Sequence, residues 1–180
     1  MASSRRVSSG GAVHRVAQRG ILAGVIETIF EADDLRLGAV GPLVVMRYRG
    51  PTTIASLRQV DQLQEALLRT HPHIMSIALL HQMTEPGVKM DEDARKFSVD
   101  LAAKFEKTNV ASAMVLKATG LSAVLARTFL SAWVLVRRSE MNMKVVRTTE
   151  EGLTWLRSQP EPNPVRPVAV SAADIDAFWT

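Results

Sequence analysis

The chain has 180 residues, 47% apolar and 22% charged, the profile of one globular domain with room for terminal segments. It has no cysteine, which excludes disulfides, thiolate metal sites and a cysteine nucleophile, and no apolar run nears the roughly 18 residues of a membrane span. The formal charge of +4 is carried by Arg5, Arg6, Arg15 and Arg19, since residues 1–20 hold no acid and the remainder sums to zero.

Residues 1–12 (MASSRRVSSGGA) have almost nothing to bury and read as a disordered basic arm. The same Arg- and Ser-rich, acid-poor composition also fits an organelle transit peptide, the less favoured reading. Residues 13–31 read as an amphipathic helix, with Val16, Leu22, Val25, Ile26 and Ile29 at three- and four-residue spacing. Gly20 and Gly24 lie four apart and would let another backbone approach closely. Such a helix serves its own domain first, and a homodimer or partner helix second.

Two short strands follow, Leu35 to Val40 and Leu43 to Tyr48, turned at Gly41-Pro42. A helix from about Thr53 to Thr70 carries Ile54, Leu57, Val60, Leu63 and Leu67 on one stripe, and Pro72 ends it. Ile74 to His81 (IMSIALLH) reads as a buried parallel strand. After the loop Gln82 to Met90, Asp91, Glu92 and Asp93 favour the positive end of a second helix, which Asn109 closes. Ala111 to Leu116 is the next strand, and Thr119 caps a helix to about Arg137. Lys144 to Arg147 is the last strand. It leads into a helix from Thr149 to Ser158, capped by Thr149 with Glu150 and Glu151 in its first turn. Residues 160–167 (PEPNPVRP) form an extended linker. Ser171 then caps a final turn bearing Ile175, Phe178 and Trp179, which either dock on the chain's own domain or insert into a partner's groove. The expected fold is α/β: a single mixed sheet of about five strands flanked by four helices, with an N-terminal helix and an extended C-terminal tail.

The order β-β-α-β-α-β-α-β-α over about residues 34–158 resembles the STAS-like, or SpoIIAA-like, group, relatives of anti-sigma factor antagonists. The matching pieces are MKVVRTTEEGLTWL, with Gly152, Trp155 and Leu156, and FEKTNVASAMVL. The resemblance covers a domain at 32–159 and neither tail. It implies a small bacterial, cytoplasmic regulatory or protein-interaction module and not an enzyme. Antagonists of this type carry an Asp-Ser-x-Gly-Leu motif after their third strand, where phosphorylation of the serine switches partner binding. At that place this chain has Gln82-Met83-Thr84-Glu85-Pro86-Gly87, so the resemblance makes Thr84 the switch position. Lys117-Ala118-Thr119-Gly120-Leu121 follows a different strand and has Lys and Ala where Asp and Ser belong.

The residues themselves offer little chemistry. His73 and His81 would lie roughly 26 Å apart along a strand and cannot share a metal. His71 and His73 flank a proline at a helix end, where capping is the commoner role. There is no P-loop, dinucleotide fingerprint or Gly-x-Ser-x-Gly elbow. No cofactor is expected. The nine aromatic residues fall mostly at core-like positions, so the domain lacks the footprint of a nucleic-acid binder. Eight methionines serve core filling or an adaptable surface. Two classes remain: a module with a protein partner, and a carrier of a small apolar ligand or lipid between helices and sheet.

Overall fold

The computed structural model describes residues 24–50, 52–80, 92–117 and 142–180. Six strands form one sheet in chain order: β1 (Glu27–Glu31), β2 (Leu35–Val40), β3 (Leu43–Tyr48), β4 (Ile74–Leu80), β5 (Asn109–Val115) and β6 (Asn142–Val146). β1, β2 and β3 pair antiparallel, and β3 through β6 run parallel. The described helices are α1 (Ile54–Leu68), α2 (Glu92–Phe105), α3 (Thr149–Arg157) and α4 (Ala172–Trp179). The architecture is the expected mixed α/β sheet, with one strand more than expected.

The sheet separates two cores. Leu35, Leu37, Val44, Met46, Ile74 and Ala78 face α1 and α2, where they meet Leu57, Val60, Leu63, Leu101 and Phe105. The alternate residues Leu43, Val45, Met75, Ile77, Ala111 and Ala113 face α3 and α4, against Leu153, Leu156, Ile175, Phe178 and Trp179. This is the two-residue period of a strand read out on both faces. β4, IMSIALL, is buried at every position because it lies inside the sheet with helices on each side.

Local signals explain most element ends. Thr53 caps α1, accepting from Ser56 N at 3.1 Å while Ser56 Oγ accepts from Thr53 N at 2.9 Å. Ser171 and Asp174 form the same reciprocal box at α4. Lys104 on α2 reaches Asp61 at 2.5 Å and Glu65 at 2.6 Å on α1. Those bonds raise its ammonium pKa and lower that of the Glu65 carboxyl.

Several expectations are corrected. The helix expected over 13–31 does not reach its end: residues 27–31 are β1, and Gly24 sits at φ +95°. Thr28, Ile29 and Phe30 suit a pleated surface, and pairing with β2 outweighs the helical spacing of Val25, Ile26 and Ile29. Asn109 opens β5 and does not close α2. The cap of α3 is Thr148, whose Oγ1 accepts from Glu151 N at 3.1 Å, and Thr149 is the first helical residue.

The segment 160–167 is no extended linker. Asn163 is buried, and its Nδ2 donates to the carbonyls of Leu156, Arg157 and Gln159 at 2.9–3.1 Å. Its Oδ1 accepts from Val165 N and Arg166 N. One side chain thus binds the C-terminal end of α3 to a compact loop, and Val165 is fully buried. The helix expected over 119–137 lies outside the described residues.

Candidate functional site

The sequence-predicted site residues separate into three groups. Thr84 and Gly20 lie outside the described residues, as do His81 and Asp91. Gly24 is described, and it does make a close backbone approach, but to its own chain. A Cβ there would stand 2.6 Å from the Ala169 carbonyl oxygen. Ile175, Phe178 and Trp179 are buried in the core below α4, so in this structure they fill no partner's groove. Arg36 stacks on the Phe178 ring at 4.7 Å and donates to the Phe178 carbonyl at 2.7 Å. Lys117 lies over the Trp179 ring and bonds Asp176, which also accepts from Thr149 Oγ1. The tail is clamped at once by Arg36 of β2, Lys117 just beyond β5 and Thr149 of α3.

His71 and His73 line a cleft of about 460 Å3 with Pro42, Pro72, Glu161 and Pro164, at the amino ends of the parallel strands. His73 Nδ1 has no hydrogen-bond partner. Among the described residues no group of three ligating side chains could hold a metal. The apolar pocket expected between the second and third predicted helices falls at a wall outside the described residues.

The most site-like feature is at the β6 edge. Lys144, Val145, Val146 and Arg147 from the strand and Glu150, Glu151, Thr154, Trp155 and Ser158 from α3 line a cleft of about 590 Å3. Gly152 makes this geometry possible. A Cβ there would lie 3.1 Å from Ile77 Cδ1 and 3.4 Å from Ala113 and Val146, so α3 sits tight across three strands. Leu156 anchors the helix at full burial, and Trp155, one position earlier, is left half-buried at the rim. Lys144 Nζ stands 5.9 Å from the Trp155 ring.

Among the described residues β6 pairs only with β5. Leu116 N donates to Val146 O at 3.0 Å, so the peptide groups of Val146 face β5. By strand alternation those of Met143 and Val145 point away from the sheet. The cleft therefore combines backbone unpaired among the described residues, an indole rim and charges of both signs. It holds no nucleophile–base pair among its lining residues.

An uncharacterized protein of the DUF3478 family with a SpoIIAA-like fold, from Shewanella loihica PV-4, matches with a TM-score of 0.47 at 18% identity, over 77% of this chain and 98% of that one. At that identity the likeness concerns the fold alone. No family model and no curated protein matches the chain. Among the described residues no helix is long and apolar enough to cross a membrane.

Proposed function

We propose that the chain is a non-catalytic regulatory module that binds another protein, taking an extended segment of that partner as an added strand on β6. The observation that carries this reading is the outward-facing backbone of Met143 and Val145 beside the Trp155 cleft. Strand addition draws affinity from main-chain hydrogen bonds and specificity from pockets that take alternate side chains. Here the cleft between β6 and α3 is such a pocket, with Lys144 and Arg147 on the strand side and Glu150 and Glu151 on the helix side.

The test is affinity capture with wild-type chain and with Met143→Pro. The substitution removes one outward N–H at an edge position, where proline is best tolerated. A partner bound by the wild type and lost by a folded Met143→Pro supports the reading. A partner retained by that variant sinks it. Truncation at residue 160 would not serve, because the loop and α4 belong to the core.

A further inference from the structure

We propose that the arginine cluster on β2 and β3 binds a phosphate-type oxyanion. Arg36 and Arg47 are directly opposed across the β2–β3 pair. Arg49, two residues beyond Arg47, returns to the same face of the chain. Like charges placed opposite one another on a sheet destabilise it, so a chain that keeps three cations here needs a counter-charge.

The described structure supplies too little. Glu31 is the one acid paired with the cluster, 3.6 Å from Arg36 Nε and 3.4 Å from Arg49 Nη2. The backbone oxygens of Phe178 and Thr180 accept from Arg36 and Arg47, respectively. These lie at the end of α4, whose dipole adds a partial negative charge. Arg36 Nε and Arg47 Nε remain buried without a hydrogen bond. The Arg47 pKa is lowered, first by burial and then by the neighbouring Arg49 and Arg36 charges, with Glu31 only partly offsetting them.

Among the described side chains one carboxylate thus faces three guanidinium groups. The outer guanidinium ends of Arg47 and Arg49 remain open to solvent, since the Arg47–Thr180 bond is exposed and the Arg49 side chain is 29% accessible. Planar guanidinium forks suit a tetrahedral dianion that can accept two hydrogen bonds from each. A bound oxyanion would offset charge in the cluster and relieve the opposition of Arg36 and Arg47.

The experiment is a titration of full-length, 15N-labelled protein with inorganic phosphate at constant ionic strength, reading the arginine Nε–H resonances. Sodium chloride is the control, and phenyl phosphate is a second probe. Saturable shifts of Arg47 and Arg49 with phosphate and not with chloride are expected. Arg49→Gln should weaken binding by at least about tenfold, and Arg49→Lys by less, because lysine keeps the charge and loses the fork. Both variants leave the Arg36 and Arg47 bonds to α4 in place. Phenyl phosphate binding like inorganic phosphate would assign an ester-bearing ligand; its exclusion would assign the free ion. A response that chloride reproduces, no saturation, or equal affinity in Arg49→Gln would overturn the proposal.

Discussion

The two edges of the sheet are built on opposite plans. β1 is antiparallel, its ends are Glu27 and Glu31, and its register with β2 shifts between Thr28 and Phe30, which leaves Ile29 as an extra residue. Terminal charges and a bulge are how natural sheets discourage a further strand. β6 runs parallel to β5 with no register shift and no acid, and a cleft opens beside it. Among the described residues one edge is marked by charge and irregular backbone, and the other is regular and carries no further strand. Edge chemistry, more than fold, is what the proposed strand addition rests on.

Breaking the β6 side should have the largest effect. Leu156→Ala removes a fully buried anchor of α3 and should cost about 2–5 kcal/mol, read as a lowered urea midpoint. Amide exchange should accelerate in β6 well before β1. If β1 loosens equally, the two edges are a single cooperative unit and the contrast between them fails.

A change at the middle of the sheet should act on both edges together. Burial, then the Asp34 charge, pushes the Tyr48 hydroxyl up to about 12. Its stabilising effect is complete below the unfolded value near 10, and is lost as pH rises through the folded value. The loss is on the order of 2–3 kcal/mol between pH 10 and 12. Tyr48→Phe should flatten that part of a stability–pH curve. An unchanged slope in the variant would assign the loss to other groups.

At the β1 side, a Cβ on Gly38 would stand 2.7 Å from the Phe178 ring and 2.8 Å from the Glu27 carbonyl oxygen. Gly38→Ala should cost about 1–3 kcal/mol by overpacking, with the loss in thermal melting accompanied by faster exchange in β1 and α4. Protection retained in both elements would show that the contact yields cheaply. The smallest effect on stability belongs to Lys144→Glu, within about 0.5 kcal/mol for an exposed position. It gives β6 an acid like those of β1 and should abolish capture of a strand-adding partner. Unaltered capture would remove charge from the account of the open edge.

What was legible in the sequence was whatever a short window determines. β2 and β3 follow from two short apolar segments and the Gly41-Pro42 turn between them, and α1 begins where Thr53 can cap it. Another cap was legible and missed: Thr148 has Glu151 three residues on, the spacing that a capping threonine needs, whereas Thr149 does not. β1 was not legible, because its partner β2 decides between strand and the equally periodic helix. The Arg36–Arg47 opposition depends on β2–β3 register. The role of the tail depends on contacts such as Arg36 to Phe178, 142 residues apart. The β6 cleft needed both: TEEGLTWL announced a helix with Trp155 and Leu156, but only packing separates the buried leucine from the indole at the rim.

That long-range contact also sets an order on biogenesis. Ile175, Phe178 and Trp179 close the face of a sheet whose second strand begins at Leu35, so this face cannot be finished until residue 179 has left the ribosome. Until then Leu43, Val45 and Met75 lack their last cover while most of the chain is already outside. Contacts so distant in sequence form slowly. A nascent chain stalled before α4 would present that apolar face to chaperones, or to another nascent copy.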